Sequence, residues 1–320
     1  MLIAQNVFIQ VAVMFIIMLI GLICYKKGMI SEETGAQLSK FLLLVVNPCV
    51  ILRAFQIEYN PSLARGLLIS VVLAVVSHLV SIIVATVVIR KDAGRKEYII
   101  ERFAIVFSNC GFMAIPLIEV VLGSEGVFYA STYVAVFNIF TWTYGAAIMK
   151  GKMSSKDILD TLRSAPIISI IVGLVIFFFS IRLPGIITSP INFIADVNTP
   201  LAMVVTGIYL ARTKIGDVFR NPRIFLVCLM RLVVSPLIMI LLFVFFGADE
   251  GVRTILISNL IISACPTAAS TLMMSRMFGN NAEYASSIIA VTTILSIATI
   301  PVMIFIQDMT MGAYPIFIFS

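Results

Sequence analysis

Charge is what this sequence has least of. Asp, Glu, Lys and Arg make up 12% of its 320 residues, about half of the roughly 25% that water-soluble chains carry. With 61% hydrophobic residues and a mean hydropathy of +1.11, that shortage excludes one or two water-soluble domains. Histidine occurs once, as His78, and no group of His, Cys, Asp and Glu has metal-ligand spacing. Metal sites and acid–base enzyme chemistry therefore lack their usual residues. The GxxxxGK[ST] phosphate loop is missing, which removes ATP binding of that kind. No span holds two adjacent aspartates, which weighs against an antiporter built on a carboxylate pair. No cofactor is expected, and nothing is low-complexity. The cysteines, Cys24, Cys49, Cys110, Cys228 and Cys265, lie in or beside apolar runs without paired spacing, the pattern of buried thiols rather than of disulfides or metal ligands.

What is present is apolar sequence in membrane-spanning lengths of about 20 residues. Hydropathy predicts ten spans, near 6–25, 36–55, 67–89, 98–122, 127–149, 164–181, 187–211, 222–246, 254–277 and 283–306, separated by short polar connections such as Arg90 to Lys96 and Gly247 to Gly251. An all-α, multi-pass membrane protein is the expected fold. The run from Val7 to Cys24 lacks a basic region before it and a cleavage site after it, so it reads as a retained first span. Of the 22 basic residues, only Arg53, Arg65, Arg182 and Arg253 fall on the side opposite the 1–2, 3–4, 5–6, 7–8 and 9–10 connections. By the positive-inside rule both termini are expected outside the cytoplasm, in the inner (plasma) membrane. The net charge of +6 then orients the chain and meets anionic headgroups; no nucleic-acid partner is needed.

The chain also repeats itself at about half its length. Asn47-Pro48 in span 2 matches Asn198-Thr199-Pro200 in span 7, and Ser108-Asn109 with Pro116 in span 4 matches Ser258-Asn259 with Pro266 in span 9. Tyr129-Ala130-Ser131 and Tyr284-Ala285-Ser286 follow in the same order. An odd number of spans per half inverts the second against the first, so the expected domains are residues 1–150 and 151–320, a 5+5 inverted repeat of the kind found in secondary transporters.

Prolines inside spans 4 and 9 predict broken helices. Free backbone groups are tolerated at membrane depth only inside protein or beside a water-filled cavity. Two half-helix N-termini meeting there favour an anion. Asn109 and Asn259, two turns before Pro116 and Pro266, can donate to carboxylate oxygens or coordinate a cation, with hydroxyls of Ser108, Ser258, Ser263 and Thr267 beside them. The plainer alternative is that the prolines only kink helices and the asparagines cap freed carbonyls. Among ionisable residues in the spans, Asp196, Glu119 and His78 are the candidates for coupling. Asp196 and Glu119 read otherwise as vestibule carboxylates, and His78 as a neutral packing residue. Arg231 reads as a snorkelling anchor or as an anion-attracting group.

The run from Ser108 to Leu117, with Gly123, Gly126, Tyr129-Ala130 and the stretch from Asn138 to Gly145, resembles the auxin efflux carrier family. Pro200-Leu201-Ala202, Gly207 and Pro266-Thr267-Ala268 fit it as well. The resemblance implies a bacterial-type permease for malate or malonate. It implies a scaffold of spans 1, 2, 6 and 7, a moving domain of spans 3–5 and 8–10, and a homodimer. Asn109, Pro116, Asn259 and Pro266 would form the substrate site at the span 4/span 9 crossover, faced by Asn47. The chain departs from the family at Ala114, where glycine is frequent, and lacks the long loop of many plant carriers. The expectation is a secondary transporter of a small organic anion in the lipid bilayer, with proton or sodium coupling open. A sodium-coupled symporter resembling the bile acid carriers is the alternative. A channel would be told apart by steady current, and a receptor would need a signalling domain.

Overall fold

A computed structural model describes residues 2–92, 94–150, 163–211, 221–246 and 252–313. The expected Gly247–Gly251 connection, most of the basic 5–6 and 7–8 connections and the segment just after the expected boundary at residue 150 lie outside the described residues. The described chain is helical throughout, with one isolated antiparallel bridge pair. Its α-helices are α1 (Leu2–Lys26), α2 (Glu32–Phe41), α3 (Asn47–Ala54), α4 (Pro61–Val88), α5 (Tyr98–Val106), α6 (Ile115–Phe140), α7 (Ala146–Lys150) and α8 (Ala165–Phe178). They continue as α9 (Gly185–Asp196), α10 (Asn198–Ala211), α11 (Pro222–Leu229), α12 (Ser235–Phe246), α13 (Arg253–Ala264), α14 (Ser270–Met277) and α15 (Ala282–Ala313).

Seven stretches are long and apolar enough to cross a membrane: Asn6–Lys26, Glu32–Ala54, Pro61–Val88, Cys110–Lys150, Gly185–Ala211, Pro222–Val244 and Ala282–Thr310. Ala165–Phe178 and Arg253–Ala264 are shorter apolar helices. The 41-residue stretch is not one straight rod. Gly123, at φ 66° and ψ −161°, takes a backbone conformation open to glycine and interrupts the stretch where the hydropathy pattern separates spans 4 and 5. Starts are encoded locally: Asn60 and Asn221 each precede a proline and accept a bond from the N–H two residues on, at 2.9 and 3.1 Å, which satisfies a free helix-end donor.

Three prolines inside the spans are accommodated by widened turns, whereas Pro190 and Pro301 lie within α-helix. One-turn π-segments at Leu42–Val46, Cys110–Ala114 and Met230–Val234 each end one residue before an X-Pro pair, namely Asn47-Pro48, Ile115-Pro116 and Ser235-Pro236. The residue before each proline bonds back five positions, to Leu42, Cys110 and Met230. A ring that would clash with the carbonyl four residues back is thus given room by one extra residue in the turn.

Packing follows two groups of helices. In one, α1 lies against α10, α2 against α10, and α3 against α8 and α9; in the other, α4, α5, α6, α13, α14 and α15 contact one another, and α1 also packs on α15 and α6, and α3 on α6, across the two groups. The α1–α10 contact is backbone on backbone. A Cβ on Gly207 would collide with the Met18 carbonyl, and one on Gly21 with that of Val204. The burial pattern is the reverse of a water-soluble protein's: Ile16, Leu68 and Ile83 are more than 60% exposed, whereas Ser70, Asn198, Ser258 and Asn259 are fully buried. Apolar faces outward and polar groups inward suit a hydrocarbon solvent.

Candidate functional site

The helix breaks meet at one junction. After α5 the chain is extended at Phe107, and Asn109 has φ −77° and ψ 62° before the π-segment Cys110–Ala114 begins. After α13 it is extended at Cys265, and α14 begins at Ser270. Ser108 and Thr267 form the antiparallel bridge pair. The Asn109 N–H donates to the Pro266 carbonyl at 2.8 Å, and the Ala268 N–H donates to the Phe107 carbonyl at 2.9 Å. Each break therefore supplies the partners that the other needs.

Side chains complete the junction. Asn109 Oδ1 accepts from the Phe112 N–H at 3.3 Å, capping the restarted helix. The Thr267 hydroxyl donates to the Ala104 carbonyl at 3.0 Å, and the Thr267 N–H donates to Thr292 at 3.3 Å. Ser108 is 1% exposed and its hydroxyl has no protein partner.

Arg231, on the π-segment before Pro236, is 1% exposed. Nη1 donates to the carbonyls of Ile105 at 2.8 Å and Val106 at 3.4 Å, Nε to Cys265 at 3.2 Å, and Nη2 to Ser263. It holds the carbonyl ends of α5 and α13 together. This overturns the snorkelling expectation: the guanidinium is enclosed by backbone acceptors and does not reach toward water.

Facing the junction is α3 with α10. Asn47 is the residue at which the Leu42–Val46 turn hands over to α3, and its Nδ2 lies 3.3 Å from where a Gly111 Cβ would be. Asn47 is 4% exposed and its Oδ1 has no protein partner. Asn198, the first residue of α10, is fully buried with neither amide atom partnered, and α10 packs against Cys110–Ala114. Buried amides without protein partners are rare enough to call for a ligand or a water.

The other residues singled out from the sequence fall elsewhere or play other parts. Pro266 is in its break, but Pro116 is not: it lies at the start of α6, seven residues beyond Asn109. Asn109 is at a break, whereas Asn259 lies inside α13. Its Nδ2 donates to Ser70 at 3.2 Å and to the Ile255 carbonyl at 2.9 Å, with Oδ1 unpartnered. The equal Asn-to-Pro spacing in the two halves thus does not place the two asparagines at equivalent points, because the Cys110–Ala114 turn moves the first break upstream of its proline. The Ser263 hydroxyl is spent on the Leu260 carbonyl at 3.0 Å.

Glu119 and Asp196 come together on Arg53 rather than standing alone. Arg53 Nη1 lies 2.7 Å from Asp196, Nη2 pairs with Glu119, and the Asp196 side chain is 68% exposed. His78 is buried, its Nδ1 donating to the Ala74 carbonyl at 2.7 Å, with Phe140 stacked on it at 4.9 Å and Tyr133 at 5.0 Å. Nε2 has no protein partner.

A second buried ionic centre was missed in the sequence. Glu101, on α5 and fully buried, accepts from Arg223 at 2.9 to 3.3 Å, from the Tyr284 hydroxyl at 2.8 Å and from Arg95. It joins α5, α11 and α15. The one signal for it is a carboxylate in the apolar run from Tyr98 to Phe107.

The chain matches the family model described as "Membrane transport protein" over residues 6–304. It is similar to a Rhizobium meliloti (strain 1021) protein named "Putative malonate transporter", at 24% identity over 228 residues, covering 68% of this chain and 69% of that protein. It is also similar to an uncharacterized transporter of Methanocaldococcus jannaschii, at 26% identity over 203 residues, covering 61% of this chain and 64% of the relative. With a family match across nearly its whole length, the chain belongs to the auxin efflux carrier family of membrane transport proteins.

Proposed function

We propose that this transporter carries a small organic anion, a mono- or dicarboxylate of the malonate or malate kind, and binds it where the two broken helices cross. The observation that carries this reading is a pair of restarted helix ends beside α10, whose first residue, Asn198, has a buried amide with neither atom partnered, and beside Asn47 Nδ2, which approaches Gly111. Helix N-termini favour an anion and the amides can donate to its oxygens. Asn109, Pro116, Ser263 and Pro266 shape the backbone of the site, and Asn259 supports it from α13. The name of the Rhizobium relative favours the carboxylate class.

The architecture we infer is ten crossings in two inverted halves, 1–150 and 151–320. We divide these into a scaffold of spans 1, 2, 6 and 7 and a transport domain of spans 3–5 and 8–10; the contacts of α1 with α10 and of α3 with α8 and α9 support the scaffold, and α1 against α15 and α6 would be where the two parts meet. The transport domain moves past the scaffold in an elevator-like or rocking motion. The termini face the non-cytoplasmic side of the plasma membrane, and the protein works as a homodimer. Asp196, Glu119 and His78 are the residues we assign to coupling with a proton or sodium gradient.

Uptake of radiolabelled malonate and malate into proteoliposomes tests the reading. Saturable uptake with counterflow, lost in Asn47→Ala and Asn109→Ala together, is expected. A steady single-channel current, or uptake indifferent to both substitutions, overturns it. Imposed sodium and pH gradients identify the coupling ion.

A further inference from the structure

Arg231 has an unusual set of partners for a fully buried cation. A buried charge is normally paired with an opposite one, yet the acceptors of Arg231 are the carbonyls of Ile105, Val106, Ser263 and Cys265. None is a carboxylate. The described acids nearest in sequence to the first break are engaged elsewhere, Glu101 by Arg95 and Arg223, and Glu119 by Arg53, and the one nearest the second, Glu283, is exposed.

The charge balance at the junction follows. A helix end carries a partial charge of roughly −0.5 at its carbonyl terminus and roughly +0.5 at its amide terminus. Two broken helices bring two ends of each kind to one place, so their fields cancel to about zero. A junction made of backbone alone would have no preference for an anion. Arg231 bonds only to the carbonyl ends, those of α5 and α13, and offsets them. The amide ends before α6 and α14 meet only neutral acceptors, among them Asn109 Oδ1 and the Thr292 hydroxyl, and the junction as a whole carries about one positive charge in a low-dielectric interior.

We propose that Arg231 is a positioning residue that makes the junction select for anions without touching the substrate. It fixes the two carbonyl ends in place and cancels their negative field, so the facing amide ends, with Asn47 and Ser108, meet the cargo as a net positive site. This rests on the anion-transport reading and adds the origin of its charge selectivity.

The test uses the full-length protein in proteoliposomes, with malonate, its monoamide malonamate and its diamide malonamide competing against labelled malonate. The variants are Arg231→Lys, which keeps the charge and gives up the fork, and Arg231→Gln, which keeps donors and gives up the charge. Folding of each is checked by size exclusion and thermal unfolding. In the wild type, competition should weaken stepwise from dianion to diamide. Arg231→Gln should flatten that series by roughly tenfold per unit of substrate charge, the effect of a unit charge about 10 Å away at an effective dielectric of about 20. Arg231→Lys should keep the series and unfold at a lower temperature. A glutamine variant that keeps the wild-type series, or a folded lysine variant that loses it, overturns the proposal. If the glutamine variant does not fold, the lysine variant decides alone by the same criterion. Absence of saturable malonate uptake in the wild type sinks the transport reading, whereas uptake with a charge series indifferent to Arg231 sinks only this one.

Discussion

The backbone N–H of Asn109 donates to the carbonyl of Pro266 at 2.8 Å. With the return bond from Ala268 to Phe107 at 2.9 Å, this is a two-residue piece of sheet inside an otherwise helical protein. It lets two helices stop inside the protein without leaving bare backbone.

That pairing makes Ala268 sensitive to a substitution that changes little else. Ala268→Pro removes the N–H that the Phe107 carbonyl accepts. The orphaned acceptor should cost about 1–3 kcal/mol, seen as a lower unfolding temperature in detergent and lower uptake.

Gly111 tests the approach of α3 to the restarted helix. A Cβ there would lie 3.3 Å from Asn47 Nδ2, so Gly111→Ala should shift the Asn47 amide by a few tenths of an ångström. We expect a several-fold rise in KM for malonate uptake with little change in unfolding temperature. Gly111→Val, with more bulk in the same space, should abolish uptake in a protein that still elutes as the wild type does on size exclusion.

Glu101 ties three helices with one carboxylate. Arg95 and Arg223 are about one-third exposed and regain water when it is removed, so Glu101→Gln should cost about 1–3 kcal/mol of stability rather than the larger penalty of a wholly enclosed pair. Tyr284→Phe should cost about 1 kcal/mol. Because the two share a bond, the double variant should lose less than the sum, as thermal unfolding of all four proteins would reveal.

Arg53 links α3 and α9 to α6. Asp196 is mostly exposed, and Asp196→Asn should change stability by no more than about 1 kcal/mol. Arg53→Gln leaves the carboxylates of both Glu119 and Asp196 without their cation and should alter the uptake rate more strongly than Asp196→Asn does. Parallel uptake time courses would check the order.

Membrane class and helix content are legible from the scarcity of charge, and helix starts from pairs such as Asn60-Pro61. Asn47, Asn109 and Asn198 stand out as amides in apolar runs; Asn109 lies at the junction, Asn47 Nδ2 approaches Gly111 beside it, and Asn198 begins α10, which packs against Cys110–Ala114. The position of the first break is not legible from Pro116, because a π-turn absorbs a proline through a bond five residues back and needs no marker residue to do so. The partners of Arg231 are illegible for a related reason. Its acceptors are main-chain carbonyls on α5 and α13, groups every residue possesses, so no pattern of residue types announces them. Glu101 draws Arg223 and Tyr284 from two distant segments and looks, in one dimension, like an ordinary charge near a span end.

The exchanged backbone bonds also set a condition on biosynthesis. Phe107 and Asn109 leave the ribosome long before Pro266 and Ala268, about 160 residues earlier, which at ~5–20 residues per second is roughly 8 to 30 s. Through that interval the first break has no partner, and unsatisfied backbone groups in hydrocarbon cost several kcal/mol each. The segment that holds the first break must therefore wait beside water, the translocon or a temporary neighbour, and it reaches its final place only when the segment that holds the second arrives.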